Sequence, residues 1–213
     1  MIESERELPL FPLEQVVLFP GMPLPLRIFE ERYKVMIGAC QVTDQRFGVV
    51  LIRSGSEVGA PAEPERVGCI AHMVQVDRLP DGRMSILTVG EQRFRLVGAA
   101  RVMPDGYLMG SAQLIGEGTG GSVPPGLVDE ITREFTRYQQ ATLALSGRGE
   151  VTKPSAMPTD PVQLSYRVAA AMPVPPAEQQ RLLEIDDVGL RLRQELEMLK
   201  REMPRTIGPF SLN

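Results

Sequence analysis

The chain has 213 residues, 43% of them hydrophobic and 23% charged, with a formal net charge of −4. This composition excludes a disordered chain and is ample for a packed core in one large domain or two small ones. The acidic balance weighs against loose binding to phosphate backbones or anionic lipid.

The first segment, Met-Ile-Glu-Ser-Glu-Arg, is acidic and polar, unlike a secretory leader, and residues 1–7 are expected to be a frayed end. The stretch Leu8–Tyr33 then carries Pro9, Pro12, Pro20, Pro23 and Pro25. Each proline fixes φ and removes a backbone donor, so no helix runs through it. Val16–Phe19, apolar and bounded by Pro20-Gly21, reads as a short buried strand, and Leu24–Ile28 as a second extended piece. Phe29, Tyr33, Met36, Ile37 and Cys40 recur at helical spacing and predict one buried helix face. Glu30 and Glu31 suit its first turn, and Glu31, Arg32 and Lys34 are read as its outward face.

Phe47–Ile52 reads as a buried strand, and residues 54–66 as a loop. Val67–Leu79 and Met84–Val89 flank Pro80-Asp81-Gly82, while Arg93–Met103 and Tyr107–Ile115 flank Pro104-Asp105-Gly106. Proline presets φ and glycine accepts positive φ, so both are turns of an antiparallel meander. About six or seven strands with one helix are expected to curl into a barrel-like sheet that protects its edges.

Composition shifts at residues 116–126, a glycine-rich linker. Helices follow. Leu127, Ile131, Phe135 and Tyr138 form one stripe, and residues 147–159 a polar loop. Asp160-Pro161 supplies a cap and a proline at the first helical position. Leu164, Val168 and Met172 mark that helix, Pro176 opens a short one with Leu182 and Leu183, and Asp186 or Asp187 caps a last one striped by Val188, Leu192, Leu196, Leu199 and Met203. The expected fold class is α+β: a β-rich part over residues 8–118 with one packed helix, then a small helical bundle over 127–203.

Catalytic signals are weak. Residues 116–121 spell the dinucleotide glycine fingerprint, but the next residues, Ser122-Val123-Pro124-Pro125, open no helix and no second strand follows. No phosphate-binding loop of the G-x-x-x-x-G-K-[ST] type occurs in the chain. His72, the single histidine, shares strand parity with Ile70, Val74 and Val76 and reads as structural. Cys40 and Cys69 have no metal-ligand or redox spacing and read as reduced thiols. Arg93, Arg95 and Arg101 could form a basic stripe, with a solvated strand face as the simpler reading. Methionines read as core fillers, except Met22 in the Pro20–Pro25 turn, where enclosure is hardest. No cofactor or metal is expected, and no membrane span, because no apolar run approaches the roughly 20 residues needed. A cytoplasmic protein is expected.

The segments LPLFPL, VVLFPG, LPLRIFE and ERY at the start resemble the amino-terminal substrate-binding domain of Lon proteases. The resemblance continues at Arg46–Val50, Leu79–Arg83, Gln92–Leu96, Leu164–Ala169 and Gln180–Glu184, covering residues 8–203. It implies a PUA-like pseudobarrel for the first part. It also implies a free-standing, non-catalytic module that binds unfolded or apolar protein segments, with a separate protease or chaperone as partner. The Lon ATPase motor and serine–lysine protease domain have no counterpart here, and Ser165 and Lys200 lie in nothing resembling that protease domain. The expected binding surface is Met22, Pro23, Glu31, Arg32 and Lys34. The alternatives are an RNA-binding PUA-like module, against which the acidic balance counts, and an enzyme whose site the sequence does not display.

Overall fold

The computed structural model describes residues 5–56, 62–116, 122–146 and 157–203. The core of the expected linker (117–121), which includes most of the glycine fingerprint, and most of the 147–159 loop lie outside the described residues. The chain forms two compact units, one of Met1–Glu117 with Val174–Glu184 and one of Gly118–Pro173 with Ile185–Asn213.

Among the described residues the first unit contains seven strands: β1 (Arg6–Leu13), β2 (Pro23–Ile28), β3 (Arg46–Ser54), β4 (Glu63–Pro64), β5 (Val67–Arg78), β6 (Met84–Val102) and β7 (Leu108–Leu114). It also contains the helices α1 (Glu31–Gln41) and α4 (Pro176–Glu184). The strand order β1-β7-β6-β5-β3 closes through a parallel β1–β3 pairing, so these five strands form a ring. Closure removes the exposed edges that an open sheet would leave. Strands β2 and β4 lie off the ring, paired to β6 and β3 respectively. Gly82 and Gly106 adopt φ +79° and +87°, as the two Pro-Asp-Gly turns require.

Two sequence expectations are corrected here. The first strand is Arg6–Leu13, whereas Val16–Phe19 is not part of a strand, although Val17, Leu18 and Phe19 are buried. Strand β1 accommodates two prolines because its pairing changes side along its length. It pairs with β7 over Arg6–Leu10 and with β3 over Leu10–Leu13. Pro9 and Pro12 each fall where only one neighbour is paired, leaving a side on which a missing N–H breaks no ladder. Second, β6 is one 19-residue strand rather than two. It pairs with β2 near its start, β7 near its end and β5 along much of its length. Gly90 allows this continuity. A Cβ there would lie 2.2 Å from the Phe19 carbonyl oxygen. Gly90 instead accepts from Gly21 N at 2.7 Å and donates to the Met22 carbonyl at 2.9 Å, which pins the Phe19–Met22 turn to the strand.

Two apolar clusters fill this unit. Leu8, Leu10, Val50, Ile70, Phe94, Leu96, Leu108 and Ala112 come from all five ring strands and form the barrel interior. The other cluster joins Tyr33, Met36, Ile37 and Cys40 of α1 to Leu24 and Ile28 of β2 and to Phe11, Phe47 and Met73 of the ring. Helix α4 packs against β5, with Gln180 Nε2 donating to the Val67 carbonyl at 3.0 Å. It therefore belongs with the sheet, although sequence grouped it with the later helices.

The second unit holds α2 (Leu127–Ser146), α3 (Pro161–Ala171) and α5 (Val188–Glu202), packed on one another. The stripe Leu127, Ile131, Phe135 and Tyr138 is buried, as are Leu164, Val168 and Met172, and Leu192, Leu196 and Leu199. Asp160 and Asp187 cap α3 and α5, accepting from Gln163 N and Leu190 N, each at 2.9 Å. The architecture is α+β, a curled sheet with packed helices.

Candidate functional site

A groove of about 160 Å³ opens on the first unit where β1, β2 and α1 converge. Its floor is Phe11, Leu13 and Tyr33, and its walls are Pro25, Leu26 and Phe29. Arg27 and Glu30 complete the lining. The floor is rigid because the Phe11 and Tyr33 rings lie 4.3 Å apart and Phe11 also meets Phe47 at 5.9 Å.

Phe29 is 57% exposed. Helical spacing had placed it on the buried face of α1, but α1 begins only at Glu31. Strand parity decides its direction instead. Leu24 and Ile28 of β2 are buried, while Pro23, Pro25 and Arg27 are exposed, and Phe29 continues the exposed set. Several large apolar side chains are exposed among the described residues, and Phe29 is the one that lines this groove of mixed polar and apolar character.

The charges around the groove are mostly paired. Arg32 Nε donates to Glu30 Oε2 at 2.9 Å, and its guanidinium stacks 4.6 Å from the Tyr33 ring centroid. Lys34 Nζ donates to Glu31 Oε1 at 2.7 Å. A Cβ on Gly106 would lie 3.6 Å from Arg32 Cβ, and one on Gly82 3.9 Å from Lys34 Nζ, so each Pro-Asp-Gly turn abuts one of these residues. Arg32 and Lys34 therefore lie partly covered rather than on a free outward face. Met22 is partly buried against the α1 cluster, correcting its expected exposure, and Pro23 is exposed two residues before Pro25. None of Met22, Pro23, Glu31, Arg32 and Lys34 lines the groove itself. The groove is lined instead by residues the sequence did not single out for binding, Phe29, Phe11 and Leu13 among them. The period-two pattern of β2 was the signal for Phe29.

The other candidates separate. His72 is not among apolar neighbours. It is 34% exposed, with Nδ1 3.3 Å from Glu91 Oε1, and Arg46 grips the same carboxylate with bonds of 2.7 and 3.0 Å. Register shifts at Cys69/Ala71 and Met73/Gln75 break the parity assumed for β5. The arginine stripe is also broken. Arg95 and Arg101 are exposed, but Arg93 is buried where α4 covers it, its guanidinium donating to the Leu183 carbonyl at 2.8 Å. Ser165 Oγ is buried between Arg191 Nε and Glu195 Oε1, each at 2.6 Å, while Lys200 Nζ pairs with Glu130 at 3.0 Å. Cys40 and Cys69 are buried free thiols, and burial, with a smaller contribution from Asp44, pushes Cys40 up to about 11. Among the described residues, no group of three or more His, Cys, Asp and Glu could hold a metal ion, and no helix is long and apolar enough to cross a membrane.

The ATP-dependent protease La (LON) substrate-binding domain model matches residues 7–201. The chain belongs to this family. It is 30% identical over 196 residues to a Lon protease of Roseiflexus castenholzii, covering 92% of this chain and 24% of that protein. Against the Lon protease of Escherichia coli the identity is 28% over 212 residues, covering 94% of this chain and 25% of that one. The chain thus spans about a quarter of these curated relatives. Among solved structures, the Lon N-terminal domain protein from Xanthomonas campestris superposes with a TM-score of 0.68 at 27% identity, covering 93% of this chain and 99% of that one. The N-terminal domain of Mycobacterium avium complex Lon protease has the same fold, with a TM-score of 0.67 at 21% identity, covering 92% and 100% of the two chains. The LON substrate-binding domain is a substrate-recognition module, and the groove beside Phe29 is its candidate contact point in this chain.

Proposed function

We propose that this LON-family domain captures unfolded or apolar protein segments without acting on them chemically, and passes them to a protease or chaperone. The observation that supports the reading is the exposed Phe29 ring on a groove that the neighbouring Phe11 and Tyr33 rings also line. An apolar centre ringed by charged side chains is the ordinary anatomy of a protein-contact patch. Binding centres on the groove and extends toward Met22 and Pro23 along the strand. The Glu31–Lys34 and Glu30–Arg32 pairs form a mixed-charge rim. Paired charges of both signs offer no stripe for a phosphate backbone.

The test is fluorescence anisotropy of a labelled unfolded apolar peptide and a labelled RNA across a salt series. Peptide binding that persists at moderate salt is expected, because apolar burial is not screened. Tight RNA binding that falls steeply with salt, with no peptide signal, would replace this reading with nucleic-acid recognition.

A further inference from the structure

We propose that the groove beside Phe29 captures the carboxy-terminal residue of a polypeptide, its apolar side chain entering the groove and its free α-carboxylate pairing with Arg27. The inference rests on the recognition reading above and narrows the ligand to one chemistry.

Three observations lead there. The first is size. A volume of about 160 Å³ suits one side chain rather than a run of residues, since a cavity of roughly 150 Å³ holds a benzene-sized group. The second is the edge beside it. Among the described residues strand β2 pairs with β6 alone, and Pro23 and Pro25 supply no N–H for a second partner. An extended segment laid along that edge would find few donors, so strand addition is a poor way to bind here. A ligand that docks by a single residue does not need the ladder.

The third observation is charge. Arg27 lines the groove, is exposed, and has no ion pair among the described residues. The neighbouring charges are already satisfied within the pairs Glu30–Arg32 at 2.9 Å and Glu31–Lys34 at 2.7 Å. Among the described residues Arg27 thus brings a cation without an ion-pair partner to a cleft that Phe11, Leu13, Leu26 and Phe29 also line. A carboxy-terminal residue presents a carboxylate and a side chain from one Cα, so it meets both features at once. The guanidinium fork matches a carboxylate with two parallel hydrogen bonds.

The experiment uses short, amino-terminally labelled peptides ending in phenylalanine, with either a free carboxylate or a carboxamide. A third peptide places an internal aspartate beside the phenylalanine and carries a blocked terminus. Wild-type protein should bind the free acid about two- to fivefold more tightly than the amide, the size of one exposed charge-assisted contact. Arg27→Gln should abolish that preference by weakening free-acid binding more than amide binding, and Arg27→Lys should restore part of it. Equal binding of acid and amide, or a preference that survives Arg27→Gln, overturns the proposal. Tight binding of the blocked aspartate peptide also overturns it, in favour of internal acidic segments. Phe29→Asp separates the two levels. If it removes all peptide binding while acid and amide bind wild type equally, the recognition reading stands and the terminal one falls. If it changes nothing, both fall.

Discussion

Arg93 of β6 donates to the backbone carbonyl of Leu183 at 2.8 Å, a bond between residues 90 positions apart that holds α4 on the sheet. Both partners are buried, and Leu182 beside them is fully enclosed. Replacing Arg93 by alanine removes the donor, strands the carbonyl away from water and leaves a hole where the side chain packed. A loss of about 2–4 kcal/mol is expected, read as a lower denaturation midpoint with unchanged slope. Arg95→Ala, on an exposed position, should cost less than about 0.5 kcal/mol.

This arginine also shows where the sequence stopped being legible. Strand periodicity placed Arg93, Arg95 and Arg101 on one face. The period alone carries no information that a helix from position 176 onward would cover one of the three. The same limit applies to α4, whose short apolar pattern marks a helix but not the surface it packs on. Where local rules sufficed, the reading held. The Pro-Asp-Gly turns, the Asp160 and Asp187 caps, the stripe of α2 and that of α5 from Val188 to Leu199 appear as expected, while Met203 falls just past the end of α5 and is only half-buried. Phe29 failed because two periods overlap there, and the strand period governs until the helix begins. His72 failed because register shifts on either side of it reset the parity.

Two glycines should respond oppositely to alanine. At Gly90 the new methyl would sit 2.2 Å from the Phe19 carbonyl oxygen, so the strand and the Phe19–Met22 turn must part. Gly90→Ala should cost about 3 kcal/mol or more, since the obstacle is backbone. At Gly38, inside α1, nothing lies within 4 Å of the added atom. Gly38→Ala should stabilise by roughly 0.5–1 kcal/mol, because it restricts the unfolded chain and favours the helix. Paired thermal melts check both signs.

Burial pushes the Glu195 carboxyl well above its ordinary value of 4.5, outweighing the opposing pull of Ser165 and Arg191. A carboxyl raised in the folded state binds its proton more tightly there than in the unfolded chain. Its stabilising contribution is thus full below about pH 4.5 and declines as pH rises toward the folded value. Glu195→Gln keeps the shape and removes the titration. The stability of wild type relative to Glu195→Gln should therefore fall between acid and neutral pH. A flat difference across that range would show that the buried carboxyl does not take up a proton on folding.

Cys40, with its thiol pushed up to about 11 and packed on the buried face of α1, should resist a thiol reagent at neutral pH in the folded protein. Counting modified thiols by mass spectrometry should give none before denaturant and both Cys40 and Cys69 after it. Rapid native labelling of Cys40 would mean that the α1 cluster opens far below the global unfolding free energy.

The most direct test of the recognition account is binding of a labelled unfolded apolar peptide to wild type and to Phe29→Asp, with a thermal melt of each. Because Phe29 is 57% exposed, the substitution should leave the melting temperature within about 2 °C of wild type. Peptide affinity should fall at least about tenfold, since a carboxylate now stands on the groove. Unchanged affinity in a protein that melts normally would contradict the account and place recognition elsewhere on the LON domain.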